Sequence, residues 1–161
     1  MTAVARFARV SAAQYAADTA GFDHVMSREE IPLPRRATVG SAGYDFFCPV
    51  DVTVAPGQMR IIPSGIRALI EPGWVLMLCP RSSLGRKYRM RLANTVGIVD
   101  SDYAQAENEG HILLAVINGG DAPLTLRAGD RMCQGILLPF GLAEEEEVTG
   151  ERRGGYGSTG Q

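Results

Sequence analysis

The sequence predicts an all-β fold in the form of a sandwich, a jelly roll or a partly open barrel. After Pro34, short runs rich in Val, Ile, Leu and Phe follow one another, and no amphipathic period of helix length interrupts them. Many short strands with frequent turns are typical of packed or closed antiparallel sheets. Three of the intervening turns combine proline with a following glycine, which suits a turn with positive φ: Ala55-Pro56-Gly57, Pro63-Ser64-Gly65 and Glu71-Pro72-Gly73.

The predicted strands are the apolar runs themselves. They are Tyr44–Phe47, Val52–Val54, Met59–Ile62, Ile66–Ile70, Trp74–Leu78, Leu92–Val99, His111–Ile117, Leu124–Leu126 and Cys133–Pro139. Before them, the alanine-rich segment Ser11–Asp18 predicts one short helix, because Ser11 and Gln14 have capping-box spacing. After them, Glu144–Glu147 predicts a solvated linker, and the glycine-rich end is too poor in apolar residues to order itself.

Length and charge narrow the class of protein. A chain of 161 residues predicts a single domain, which we divide into an N-terminal extension (1–34), a β core (35–143) and a flexible C-terminal arm (144–161). The net charge of −2 argues against nucleic-acid binding. We expect a cytoplasmic protein without membrane contact, because no apolar run is long enough to span a bilayer. The three widely separated cysteines are expected to be small buried side chains rather than disulfide or zinc ligands.

Two segments carry residues suited to phosphate chemistry. Pro80–Gly85 follows an apolar strand and precedes the basic loop Arg86–Arg89. Backbone N–H groups of such a turn can converge on an anion, although an ordinary polar turn is equally compatible with the sequence. In the second segment, Asp100 and Asp102 alternate at the end of a predicted strand, where residues i and i+2 share a face. The two carboxylates could therefore converge on one pocket; a plain β-turn is the alternative.

Two further segments complete the candidates. Arg127–Gln134 predicts a tight turn into a strand, in which Asp130 and Arg131 are expected as a structural pair and Gln134 requires polar partners. The C-terminal arm, Glu151–Gly160, carries two arginines, a tyrosine and two hydroxyl residues among its glycines. Arginine provides fixed donors for phosphate and an aromatic ring can stack on a base, so this arm could wrap a nucleotide.

Together these segments resemble the trimeric dUTPase family, five of whose motifs occur in the family order. They are Ser41–Asp45, Pro80–Ser83, Gly97–Tyr103, Gly129–Gln134 and Gly154–Gly160. The resemblance covers nearly everything after Pro34. The N-terminal segment and Glu107–His111 look most like the branch found in Gram-positive bacteria and their phages.

The resemblance implies a jelly-roll β subunit that assembles as a homotrimer with active sites between chains. It also implies Mg²⁺-dependent hydrolysis of dUTP to dUMP and pyrophosphate, which limits uracil in DNA. Asp100 would be the general base for water attack on the α-phosphorus, and Arg81 would orient that carboxylate and keep it ionised. Asp45 or Asp102 would contact the magnesium ion only through water.

The remaining site residues are also taken from the resemblance. Ser82, Ser83 and Gln134 would hold the phosphates, Asn94 and the backbone around Tyr103 would read uracil, and the Tyr103 ring would pack on the deoxyribose. The full set of implied substrate-binding residues is Ser82, Ser83, Asn94, Gly97, Asp102, Tyr103, Gln134, Arg152, Arg153, Gly155, Tyr156, Gly157 and Ser158.

The sequence departs from the family pattern at a few positions. Ala104-Gln105 stand where most relatives carry Arg-Gly, extra residues follow up to Gly110, Ser83 replaces a glycine and Tyr156 replaces phenylalanine. Arg152 is favoured as the phosphate-binding arginine of the arm, with Arg153 as the alternative. Two other functions stay open from the sequence: dCTP deamination, in a family that shares the fold, and nucleotide-dependent regulation of a protein partner.

Overall fold

The computed structural model describes residues 2–144 together with Gly150 and Gly154 and consists mainly of short strands. The strands are β1 (Ala5–Arg9), β2 (Arg35–Arg36), β3 (Tyr44–Phe47), β4 (Val52–Val54), β5 (Met59–Pro63), β6 (Ile66–Ile70), β7 (Trp74–Pro80), β8 (Arg91–Leu92), β9 (Gly97–Val99), β10 (Leu113–Ile117), β11 (Leu124–Leu126) and β12 (Arg131–Pro139). The helices are α1 (Ala12–Thr19), α2 (Ser82–Tyr88) and the 3-10 helices Arg28–Glu30 and Ser101–Gln105.

The strands form antiparallel sheets. The largest has five strands in the order β2-β3-β12-β7-β9, and a second has three in the order β5-β10-β8. The pairs β1-β6 and β4-β11 form two further two-stranded sheets. The predicted all-β, jelly-roll-like fold is confirmed. No helix within residues 2–144 is long and apolar enough to cross a membrane.

The sheets enclose a core of aliphatic and aromatic side chains. Phe46, Leu76, Leu114 and Met132 have at most 2% of their surface exposed. Cys48 and Cys133 are fully buried in the same core, as the sequence predicts, whereas Cys79 is only partly buried. Burial raises the pKa of the Cys48 thiol to about 12. This thiol therefore stays protonated at neutral pH and packs as a small apolar side chain.

The predicted turns are confirmed in the backbone. Gly57, Gly65 and Gly73 have φ values of +73°, +72° and +83°. Gly65 is the most constrained of the three, because a Cβ there would lie 2.4 Å from Ile31 Cδ1. Its positive φ and this close contact both require glycine.

The structure corrects three predictions of secondary structure. β1 lies in the N-terminal extension, which was predicted to hold only a helix, and β2 precedes the first predicted strand of the β core. The predicted strand over residues 92–99 is instead a hairpin, because Thr95 adopts φ +68° and pairs back onto Leu92. The predicted turn and basic loop of residues 80–89 form the end of β7 and helix α2.

Helix α2 escaped prediction because it is only seven residues long. Leu84 and Tyr88 pack against the core one turn apart, and the helix ends at Arg89, which has the left-handed φ of 49°. A single i, i+4 pair gives too little periodicity to distinguish a two-turn helix from a polar loop.

The predicted N-terminal helix is present, and its capping is shared with a distant segment. Ser11 Oγ accepts a hydrogen bond from Gln14 N at 3.1 Å, as the capping box predicts. The Ser11 N–H donates to Glu109 Oε2 at 2.8 Å, whereas the Gln14 amide donates to Asp18 instead. In a capping box, a nearby side chain accepts a hydrogen bond from the N–H of the N-cap residue. Here Glu109, which is 98 residues away in the sequence, provides that acceptor.

A buried histidine makes a second connection between the same two segments. His111 is fully buried, and its Nε2 accepts a hydrogen bond from Gly65 N at 2.8 Å. Its Nδ1 contacts the Asp18 carboxylate. Because Nε2 is an acceptor, the ring is neutral and carries its proton on Nδ1. Burial lowers the pKa of His111, although the bond to Asp18 opposes that shift.

Acidification should therefore destabilise the fold through His111. The unfolded chain takes up a proton near the ordinary histidine pKa of 6.5, while the folded chain resists it to lower pH. Stability is fully present above this value and is lost as the pH falls below it. We expect the urea midpoint of unfolding to fall between about pH 7.5 and pH 5.5, a range that largely avoids carboxylate titration.

Replacement of this histidine separates its contribution from that of other groups. His111→Gln removes the titration and should flatten the dependence of the urea midpoint on pH. The control is His24→Gln, because the His24 side chain is 67% exposed. An equal pH dependence in wild type and His111→Gln would contradict the assignment.

Candidate functional site

The register of the five-stranded sheet brings three predicted site residues together. Gln134 in β12 lies opposite Asp45 in β3 on one side and opposite Cys79 in β7 on the other. Arg81 follows directly after Pro80, the last residue of β7, which is itself paired with Cys133. Segments that are far apart in the sequence thus meet at one end of the sheet.

Asp45 is the electrostatic centre of this end of the sheet. The residue is 8% exposed. Its Oδ1 lies 3.2 Å from Arg81 Nε, and its Oδ2 accepts a hydrogen bond from Arg131 Nη1, also at 3.2 Å. A buried carboxylate is stable only when paired in this way. Two guanidinium groups are consequently fixed beside each other, and their N–H groups are of the kind that binds an anion.

The expected structural pair of Asp130 and Arg131 is wrong. Asp130 Oδ2 instead accepts a hydrogen bond from Arg127 N at 2.8 Å and closes the turn before β12. Arg131 reaches across the sheet to Asp45, from which it is 86 residues distant in sequence. Its side chain is 49% exposed and borders the open face of the site.

Gln134 fits into space left by a glycine. An added Cβ on Gly43 would lie 2.5 Å from Gln134 Oε1. Gly43 therefore lets the Gln134 amide approach the backbone that precedes Asp45, with Gln134 itself partly buried. The strand register places Gln134 directly opposite Asp45.

A cleft of about 320 Å³ opens beside the two arginines. Arg81, Ser83, Lys87, Asp130 and Arg131 contribute its polar lining. Three of these side chains are cationic and one is anionic, so the cleft favours an anion. Lys87 lies in the segment that the sequence predicts as a basic loop, and no role was predicted for it. The sequence signal that could have drawn attention to Lys87 is that it is the single lysine in a chain rich in arginine.

Asp100 lies at the opposite end of strand β7 from Arg81. In the pairing of β9 with β7, Gly97 is opposite Leu78 and Val99 is opposite Leu76. Asp100 therefore falls beside the start of β7, whereas Arg81 follows its end. Along β7, the position beside Asp100 and the position of Arg81 are six residues of extended strand apart, which corresponds to about 20 Å. Within one chain, Arg81 and Asp100 do not meet.

The predicted alternation of Asp100 and Asp102 along a strand is also wrong. β9 ends at Val99, and Asp100 is the residue that precedes the 3-10 helix Ser101–Gln105. Asp102 lies in the first turn of that helix and is exposed. Asp102 follows Asp100 by about two-thirds of a 3-10 turn, so the two carboxylates do not share a strand face.

Three further predicted site residues lie close to Asp100 in the sequence, and they differ in exposure and contacts. Asn94 is exposed in the turn between β8 and β9. Gly97 allows close packing of β9 on β7, since a Cβ there would lie 3.1 Å from Leu78 Cβ. Tyr103 is partly buried against the core, and its hydroxyl group donates to His111 O at 3.0 Å.

Six of the predicted substrate-binding residues belong to the C-terminal arm. They lie outside the described residues: Arg152, Arg153, Gly155, Tyr156, Gly157 and Ser158.

The described residues do not form a metal cage. Within residues 2–144, no three His, Cys, Asp or Glu side chains are grouped as metal ligands would be. Both carboxylate oxygens of Asp45 already face guanidinium groups, so direct coordination would require breaking an ion pair. A divalent ion at this site would have to be held largely by ligands other than the protein.

Comparison with known proteins agrees with this architecture. The dUTPase family profile matches residues 29–160. The deoxyuridine 5'-triphosphate nucleotidohydrolase of Lactococcus lactis subsp. lactis (strain IL1403) is 41% identical over 133 residues, covering 81% of this chain and 89% of that protein. The enzyme of the same name from Shewanella sp. (strain MR-7) is 40% identical over 139 residues, with 81% and 88% coverage.

Solved structures show the same fold. The crystal structure of dUTPase from Streptococcus mutans superposes with a TM-score of 0.69 at 33% identity, covering 86% of this chain and 98% of that chain. The dUTPase from phage phi11 of S. aureus has a TM-score of 0.68, with 92% and 97% coverage. It is only 17% identical, so its similarity concerns the fold alone.

The Asp45 pairing predicts a measurable stability defect. Asp45→Asn leaves Arg81 and Arg131 beside a neutral amide and should destabilise the protein by about 1–3 kcal/mol, because both guanidinium groups retain partial solvent access. Urea denaturation measures this loss, with Asp23→Asn, an exposed aspartate, as the matched control. Equal stability of the two variants would contradict the role of Asp45.

Proposed function

The chain belongs to the dUTPase family and is a dUTP diphosphatase, and we propose that Asp100 is the general base of its reaction. Asp100 accepts a proton from water, the water oxygen attacks the α-phosphorus, and the bond between that phosphorus and the α,β-bridging oxygen breaks. The products are dUMP and pyrophosphate. The observation that carries the assignment of the phosphate site is the cationic cleft beside the Asp45 pair.

The triphosphate is proposed to occupy that cleft. Ser83 and Arg81 line it, Ser82 adjoins them in the first turn of α2, and Gln134 lies one strand away. Hydroxyl groups and the unpaired backbone N–H groups of a first helical turn are suitable phosphate donors. The fixed guanidinium of Arg81 adds positive charge without the conformational cost of ordering a free side chain.

Selection of the nucleoside is proposed to lie with the β8-β9 hairpin and the residues that follow it. Asn94, Gly97 and Tyr103 would bind the uracil and deoxyribose, with Asp102 nearby. Uracil presents an N3–H donor beside an O4 acceptor, whereas cytosine reverses this pattern and would leave buried groups unpaired. A ring packed against the sugar at Tyr103 would leave no space for a 2′-hydroxyl group.

Magnesium is proposed to enter with the substrate. The ion would neutralise phosphate charge and orient the phosphates when bound. The described residues supply no cage for it, and the carboxylate of Asp45 is already paired, so contact through water is the most that Asp45 or Asp102 would provide.

The C-terminal residues are proposed to close over the bound nucleotide. Tyr156 would stack on the base and Arg152, or alternatively Arg153, would bind phosphate. The glycines and the serine of residues 155–158 would let the backbone approach the ligand closely. Closure would exclude bulk water from the phosphates while retaining the attacking molecule.

The proposed roles of Arg81 and Asp100 require two chains. These residues lie at opposite ends of β7, so Arg81 cannot orient the Asp100 carboxylate of its own subunit. We therefore propose a homotrimer in which each active site combines Arg81 of one chain with Asp100 of its neighbour. A cyclic trimer provides three identical junctions of this kind.

Substitution of the proposed base should separate binding from turnover. The wild-type protein should release pyrophosphate from dUTP and no ammonia from dCTP. Asp100→Asn should retain dUTP binding and reduce kcat by about 10²- to 10⁴-fold, as expected for loss of a general base. Pyrophosphate release and calorimetric titration measure the two effects. Asp121→Asn, an exposed aspartate, is the control, and normal turnover in Asp100→Asn would refute the assignment.

A mixture of inactive subunits tests the shared site directly. Arg81→Ala and Asp100→Asn proteins should each be nearly inactive. When the two are co-expressed in equal amounts, about a quarter of the sites in randomly assembled trimers should combine both intact residues. Activity should return accordingly. Persistent inactivity of mixed trimers, verified by differential tags, would show that both residues act within one chain or not together.

A further inference from the structure

The segment between Tyr103 and β10 has no role in the proposed mechanism. It does, however, contact Tyr103, which has one. Residues 104–111 begin where the chain departs from the family pattern at Ala104-Gln105. The segment returns to the Tyr103 side chain through Asn108 and His111. Its contacts therefore fall on a residue that is proposed to face the sugar.

The Tyr103 hydroxyl group is held from two sides. It accepts a hydrogen bond from Asn108 Nδ2 at 3.0 Å and donates one to His111 O at 3.0 Å. The phenolic oxygen thus uses both its donor and an acceptor position. Two bonds in different directions restrict the ring more than apolar packing alone, because hydrogen bonds depend on angle as well as distance.

Asn108 is itself fixed by the turn in which it lies. Its Oδ1 accepts a hydrogen bond from Gly110 N at 3.2 Å. Gly110 has φ +71°, and a Cβ there would lie 2.6 Å from both Tyr103 O and Ala104 Cα. The segment therefore closes tightly on the backbone of Tyr103, which places the Asn108 amide at the phenol.

The far side of the segment is anchored to the fold. Glu109 Oε2 accepts from Ser11 N at 2.8 Å, and the buried ring of His111 accepts from Gly65 N at 2.8 Å. Arg67 donates to Ala104 O. These bonds reach β6, the turn before it and the start of α1, so the segment is a fixed support for Tyr103.

We propose that Asn108 is a positioning residue that sets the preference of the site for deoxyribose over ribose. The proposal rests on the proposed placement of Tyr103 against the sugar. A ring can exclude a 2′-hydroxyl group only while it stays in place, since a small tilt would open the necessary space. The Asn108 amide opposes that tilt through the phenolic oxygen.

The test compares dUTP and UTP as substrates of the full chain. In Asn108→Ala, KM for dUTP should rise by about 3- to 10-fold, the effect of losing one positioning hydrogen bond, with kcat within about 2-fold of wild type. The ratio of kcat/KM for dUTP to that for UTP should fall by about 10-fold or more. Asn108→Ser keeps a hydroxyl acceptor for Gly110 N but is too short to reach Tyr103, so it should lower the ratio equally while keeping the turn.

Two controls separate positioning from a general structural role. Asn118 also accepts a hydrogen bond from the residue two positions on, at 3.0 Å, but its amide donates to Val54 O and Ala122 O. Asn118→Ala should lower Tm at least as much as Asn108→Ala and leave the dUTP/UTP ratio unchanged. Tyr103→Phe removes the same hydroxyl group, so adding Asn108→Ala to it should change the ratio no further.

Each outcome is decisive. An unchanged ratio in both Asn108 variants, with a lower Tm alone, would make Asn108 a structural residue and overturn the proposal. A further fall of the ratio in the double variant would show that Asn108 acts by a route other than the Tyr103 hydroxyl. Failure of the wild-type protein to hydrolyse dUTP would instead refute the proposed function, which distinguishes the two hypotheses.

Discussion

The pairing of Asp45 with Arg81 and Arg131 is the interaction on which the site depends. Burying a carboxylate costs free energy unless nearby cations compensate its charge. Here two guanidinium groups do so: Arg81 follows the end of β7, and Arg131 is the first residue of β12. The compensation has a functional consequence. Arginines held by a carboxylate on one side present their other N–H groups in fixed directions, which is the arrangement that a polyphosphate requires. Stability of the sheet end and the proposed binding of an anion thus depend on the same contacts.

The pairing of β9 with β7 limits what a single chain can do. The proposed phosphate-binding groups lie at the end of β7 and Asp100 lies beside its start. The two halves of the proposed chemistry are therefore separated by the length of a strand. A sheet cannot bend enough to bring them together, since its hydrogen bonds fix the register. Under the proposed mechanism, assembly would be required for catalysis, because a neighbouring subunit would bring Asp100 to the cleft that its own chain cannot reach.

Several features with local causes could be predicted from the sequence, although helix α2 and the hairpin at Thr95 could not, and features with distant causes were not predicted. The turns at Gly57, Gly65 and Gly73 and the cap at Ser11 depend on a few adjacent residues, and all four are confirmed. The Asp45–Arg131 pair joins residues 86 positions apart, and only the strand register brings them together. The separation of Asp100 from Arg81 has the same origin. The resemblance to a family supplied the roles of these residues, but not their arrangement within one chain.

The support of Tyr103 shows why polar residues occupy a tightly packed segment. Apolar side chains would bury residues 104–111 at less cost than a buried neutral histidine and a carboxylate bonded to the chain of α1. Hydrophobic contact is non-directional, however, and would leave the phenol free to tilt. Hydrogen bonds to Tyr103, to Gly65 and to Ser11 define orientation at each step. The N-terminal extension therefore contributes to the geometry of Tyr103 through its bonds to Glu109 and His111.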